Sequence, residues 1–130
     1  MVRGVRGVRG AITVKENKEE AIVSAAFRLF KTMQKENGYV PDDISHIIIT
    51  MTPDLDAAFP AKALRQLEGY DLVPVMCAQE IPVPGSLEKC IRVMLTLNTT
   101  KSPGEINHVY LEDAVTLRPD LFLTNQGQLR

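Results

Sequence analysis

The chain has 130 residues, 45% hydrophobic and 24% charged, with a formal net charge of −1. That length fits one domain, 1–130, with a single core, and the balance is that of a globular protein rather than a disordered one. It excludes a broad basic field of the kind that grips nucleic acid, so any anion site must be local, built from a few basic side chains.

The chain opens on an Arg-Gly-Val triplet at Arg3 to Val5, repeated at Arg6 to Val8 and continued by Arg9-Gly10. Without proline this is not a collagen repeat, and it lacks the apolar stretch of a signal peptide. It runs into the β-rich Ala11-Ile12-Thr13-Val14, which predicts a first strand over about residues 2–14. A side-chain period of two sends Arg3 and Arg9 to one face and Arg6 to the other. Asn17 with Glu20 has capping-box spacing for a first helix. Ala21, Ile22, Ala25, Ala26, Leu29, Phe30 and Met33 then recur at helical spacing, and Gly38 supplies the stop.

His46 to Thr52 is a continuous, β-branched apolar run that reads as a buried strand. A second helix is expected over about residues 58–68, with Pro60 near its first turn and Gly69 as its stop. Leu72 to Ala78 reads as a third strand, which Pro74 marks as edge-like or bulged. Gln79 to Lys89 is a Pro/Gly loop. Cys90 to Asn98 alternates cleanly: Ile91, Val93, Leu95 and Leu97 share one face, and Cys90, Arg92, Met94 and Thr96 the other. Asn107 to Leu111 is a candidate fifth strand, and the polar tail 121–130 is expected to be mobile.

The order β-α-β-α-β-β-β predicts an α/β (α+β) fold, a mixed sheet of about five strands with two main helices on one face. Two helices cannot cover both faces. The uncovered one would be a large apolar patch on a monomer, which favours a homo-oligomer. No apolar run approaches the roughly 18 residues of a membrane span, and two thiols do not make a disulfide scaffold. The expectation is a cytoplasmic protein with no membrane partner. Trp is absent and aromatics are 5%, which argues against stacking platforms for single-stranded nucleic acid.

Arg92 stands mid-strand between Ile91 and Val93. A guanidinium there is costly to bury unless an anion meets it; a carboxylate of the same chain, or a stem reaching solvent, would serve as well as a ligand. Arg9 precedes the small pair Gly10-Ala11 inside a strand and is a second cation source. Lys62 and Arg65, three apart, share a helix face that is either an anion site or merely solvated. Glu80 heads a stiff Pro-rich loop, where a carboxylate can accept a proton or a hydrogen bond, or simply face water. Cys77 and Cys90 read as core residues, and His46 and His108 as strand histidines rather than ligands. No metal spacing, phosphate loop or dinucleotide fingerprint is present, so no cofactor is expected. The residues suggest binding of a small anion and do not name it.

Six segments in order carry a resemblance. Arg6-Gly7-Val8-Arg9-Gly10-Ala11, Thr52-Pro53-Asp54-Leu55 with Ala58-Phe59-Pro60-Ala61, Val73-Pro74-Val75 with Gln79-Glu80, Cys90-Ile91-Arg92-Val93-Met94, His108-Val109-Tyr110-Leu111 and Leu117-Arg118-Pro119-Asp120-Leu121 resemble the monofunctional chorismate mutases of the trimeric α/β-barrel-like type, over about residues 3–124. The resemblance implies a homotrimer forming a pseudo-α/β-barrel, with active sites between subunits. It implies conversion of chorismate to prephenate, the branch step toward phenylalanine and tyrosine, without cofactor. By position, Arg92 matches the arginine that meets the ether oxygen of the breaking bond. Arg9 and Tyr110 match residues that hold a carboxylate, and Glu80 and Cys77 match those that face the ring hydroxyl. Phe59, Ala61, Lys62, Arg65, Val75, Met76 and Leu117 match pocket or rim positions, and Arg118 a basic residue near the mouth. The triplet repeat allows more than one alignment, and Gly10-Ala11 selects Arg9. Asn107 departs from the pattern by standing where an arginine is expected. A trimeric deaminase of reactive imines and a trimeric small-ligand sensor are the rival readings, and the six ordered segments speak against both.

Overall fold

A computed structural model describes residues 4–118. The elements are β1 (Gly4–Thr13), α1 (Glu19–Asn37), β2 (Ile44–Met51), a 3-10 segment (Pro60–Gln66), β3 (Val75–Gln79), β4 (Cys90–Thr99) and β5 (Val109–Leu111). They form one mixed five-stranded sheet in the order β3-β2-β4-β1-β5. β4 runs antiparallel to β1 and β2, whereas β5 and β3 join parallel at the two edges. Arg3 and the tail 121–130 lie outside the described residues.

The core occupies one face of the sheet. Along α1, Ile22, Ala26, Leu29, Phe30 and Met33 form a stripe at spacings of three and four and are all buried. They pack on Val8, Ile12, Ile47, Ile49, Ile91, Leu95 and Leu97. Gly10 permits the closest approach: a Cβ built there would stand 2.3 Å from the Met33 sulfur. Gly38, at φ 67°, ends α1 in the left-handed region that glycine tolerates.

Three expectations are corrected. Asn17 does not cap α1: the cap position is Lys18, with no side-chain cap bond. The Asn17 amide instead accepts from the backbone N–H groups of Asp56 and Ala57 and donates to Asp56 Oδ1 at 2.7 Å, so it pins the loop ahead of the 3-10 segment. The second helix is wound as a 3-10 helix, closed by Leu67 N–H donating to the Leu64 carbonyl. Pro60 and the left-handed Gly69 leave too short a segment for several α turns. The run His46–Thr52 is not buried on both faces, since Ile48 is 43% exposed between buried Ile47 and Ile49. Pro74 lies just outside β3, which is an edge strand as its sequence predicts.

Candidate active site

The face opposite α1 is largely uncovered. Ile48, Met94 and Met76 stand on it 43%, 42% and 72% exposed. Among the described residues, only its β1–β5 corner is closed. There a 3-10 turn, Glu112–Thr116, lays Ala114 onto Ala11, Cys90 and Tyr110, with Leu117 against the same cluster.

Beside that corner lies a hollow of about 220 Å³ lined by Arg9, Thr50, Glu80, Arg92, Met94 and Tyr110. Strand alternation puts them together. Arg9 opposes Met94 on β4, Thr50 opposes Arg92, and Ala11 opposes both Arg92 and Tyr110. Glu80 follows β3, and its N–H donates to the Met51 carbonyl at 2.9 Å. Its carboxylate accepts from the Thr50 hydroxyl and lies 3.6 Å from Arg92 Nε. Thr50 joins the hollow without a sequence signal, because the continuous apolar run around it does not distinguish the two faces of β2.

Arg92 is therefore neither buried nor without a carboxylate neighbour in this chain. Its side chain is 50% exposed, and the contact to Glu80 is long and partly solvated, so it holds direction more than energy. Arg92 also lines the hollow, so a half-exposed guanidinium is available there to an anion.

The second group of expected residues gathers elsewhere. Phe59, Ala61, Lys62, Arg65 and Val75 line a groove of about 890 Å³ between the 3-10 segment and the β2–β3 edge. In a 3-10 helix residues three apart eclipse, so Lys62 and Arg65 stand one above the other. Lys62 is paired with Glu19. Cys77 belongs to this side: like Val75 it packs against the core, on the opposite face of β3 from Met76. It is thus separated from Glu80, with which the resemblance groups it. Burial pushes the Cys77 thiol up, against the Ala61 backbone N–H that acts the other way. Burial likewise raises Cys90 to about 11, opposed by Arg92, so neither thiol is activated near neutrality.

Asn107 points away from Tyr110. Its Nδ2 donates to the Glu36 carbonyl at 3.0 Å and its N–H to Asn37 Oδ1 at 2.8 Å, so it closes the C-terminal end of α1. His108, next to it, is a structural partner of Arg9: its Nδ1 accepts the Arg9 backbone N–H at 2.9 Å. Burial first, then Arg9 and Arg118, hold the imidazole down to about 4. Among the described residues, no group of three His, Cys, Asp or Glu side chains could hold a metal ion. No helix among them is long and apolar enough to cross a membrane.

Comparisons with known proteins agree over nearly the whole chain. The family described as Chorismate mutase type I matches residues 5–121. Chorismate mutase AroH of Bacillus subtilis (strain 168) is 48% identical over 125 residues, covering 96% of this chain and 98% of that protein. Chorismate mutase AroH of Thermus thermophilus is 48% identical over 118 residues, covering 90% and 96%. A solved chorismate mutase from Clostridium thermocellum superposes with a TM-score of 0.83 at 50% identity, covering 85% of this chain and 98% of that one.

Proposed function

Because the chain belongs to the type I chorismate mutase family, we propose that it is an isomerase converting chorismate to prephenate, toward phenylalanine and tyrosine, in the cytoplasm and without cofactor. The observation that carries the mechanistic reading is the meeting of Arg9 and Arg92 around one hollow.

The reaction is a concerted pericyclic shift within one molecule: a C–O bond breaks as a C–C bond forms. A shaped pocket speeds it by selecting the folded, chair-like conformer. As the C–O bond stretches, negative charge grows on the ether oxygen. A fixed guanidinium there stabilises the transition state more than the ground state, and Arg92 has this role. Glu80, steadied by Thr50, orients Arg92 and accepts the ring hydroxyl. Arg9 and Tyr110 hold a substrate carboxylate.

The hollow and the groove lie on different sides of the sheet, so one chain does not bring its own two halves together. We assign the groove residues Phe59, Ala61, Lys62, Arg65, Val75 and Cys77 to the site of a neighbouring subunit in a homotrimer. Met76 and Leu117 then flank the seam and Arg118 stands at the mouth. The exposed apolar side chains Ile48, Met76 and Met94 support this assembly, because a subunit interface would cover them. The whole chain, 1–130, acts as one domain in this reading.

Purified protein should consume chorismate, followed by loss of its absorbance, and yield prephenate. No turnover by folded protein would overturn the assignment. Sedimentation should show a trimer at micromolar concentration, and a stable, active monomer would remove the shared site.

A further inference from the structure

We propose that His108 is a positioning residue for Arg9, its neutral imidazole tying the backbone of β1 at Arg9 to the start of β5 so that Arg9 and Tyr110 face the substrate carboxylate as one unit. This rests on the carboxylate role assigned to Arg9 and Tyr110 above. The parallel ladder between β1 and β5 begins only at Gly10 opposite Val109, so Arg9 stands one residue ahead of it. The Asn107 carbonyl, the next acceptor back along the chain, accepts from Asn37 Nδ2 at 2.9 Å. The His108 ring takes that place and receives the Arg9 N–H.

A backbone N–H can only donate, so His108 Nδ1 carries no proton and the neutral ring has its proton on Nε2. The surroundings favour that form, since burial and the charges of Arg9 and Arg118 all oppose a cationic imidazole. Two residues on, Tyr110 is buried among Ala11, Cys90 and Ala114. The His108 bond therefore closes a short loop of structure, from the Arg9 backbone through the ring to the strand that carries Tyr110. On the β4 side Arg9 stands opposite Met94.

The test compares two variants that lose the ring alike and differ in where they hold an acceptor. In His108→Asn, Oδ1 lies as many bonds from the backbone as Nδ1 does; in His108→Gln the acceptor lies one bond further out. We expect His108→Gln to raise KM for chorismate about tenfold with kcat within about threefold, and His108→Asn to restore KM to within about threefold of the parent. Equal KM for the two variants, or a loss confined to kcat, would overturn the proposal. Nitrogen-15 NMR of the imidazole in the unaltered protein at neutral pH should show bare Nδ1 and protonated Nε2. The opposite tautomer or a charged ring would overturn it even if a variant fails to fold. Absent turnover by the unaltered protein would instead strike the functional reading, and the NMR result would still decide whether His108 ties the two strands.

Discussion

Along β4, side chains one residue apart meet opposite conditions. Ile91, Val93, Leu95 and Leu97 are at most 4% exposed beneath α1 and its neighbours, while on the other face Met94 is 42% exposed and the Arg92 side chain 50%. The first face is finished within one chain. The second, among the described residues, holds two arginines, a carboxylate and uncovered apolar groups. The difference separates stability from chemistry within a single strand: substitutions on one face should change folding, and those on the other should change turnover.

The sharpest way to break that division is a pair of neighbouring variants. Leu95→Ala removes a fully buried side chain from the closed face and should cost about 2–5 kcal/mol of stability, with turnover per folded site unchanged. Arg92→Lys keeps the charge but loses the planar fork. It should lower kcat by at least ~10²-fold, about 3 kcal/mol of transition-state stabilisation, with little change in the unfolding midpoint. KM should move far less, because the ether oxygen carries little charge in the ground state. Should Arg92→Lys unfold the protein but leave kcat per folded site intact, Arg92 belongs with the structural ion pairs, and the two faces do not divide as claimed.

His108 stands just ahead of the edge strand β5, and acid should expose its role. Its folded-state pKa is lowered to about 4 from 6.5 by burial, Arg9 and Arg118. Below pH 6.5 the unfolded chain takes up a proton that the folded chain refuses. The full contribution is therefore present above about pH 6.5 and is lost as pH falls toward 4. Urea unfolding at fixed protein concentration should show this acid slope, and His108→Asn should flatten it. Parallel slopes in the two proteins would mean that His108 is not held neutral by the fold.

Periodicity made the closed face readable. The α1 stripe and the β4 alternation are set by burial against neighbours close in the pattern, and both are found as the sequence predicts. Arg92 was conspicuous for the same reason, as a charge at an even position in an apolar strand. What local pattern cannot carry is a partner far along the chain. Asn17 has the spacing of a cap, yet it bonds Asp56 and Ala57. His108 looks like any strand histidine until the Arg9 N–H, 99 residues earlier, is placed against its ring. Cys77 and Glu80 sit three apart, an odd number in extended chain, which sends them to opposite sides despite the shared role that the resemblance implies. The division of the site into hollow and groove was implied by that resemblance and by no spacing in the sequence.

Arg65 extends the comparison to the groove. It stands on the 3-10 segment and lines the groove, and the proposed site gives it a charge to contribute rather than a transition-state contact. Arg65→Ala should raise KM about tenfold and leave kcat within about threefold, the reverse of the Arg92→Lys bias. Steady-state kinetics on both variants reads the contrast directly, and a matching kcat loss would place Arg65 beside the ether oxygen instead.

The smallest effect is expected at Cys77. A covalent mechanism would need its thiolate, but burial raises the thiol and no base activates it. Its side chain packs with the core on the groove side of β3, so the residue contributes shape and at most a weak hydrogen bond. Cys77→Ala should retain turnover within about threefold, and the parent enzyme should show kcat nearly independent of pH between about 6 and 9, since a pericyclic step moves no proton. A thiolate nucleophile would give the opposite on both counts: abolished turnover in a folded Cys77→Ala protein, and a rate that climbs toward alkaline pH as the thiol ionises. Either outcome would return the chemistry to the groove and leave the two arginines of the open face with binding alone.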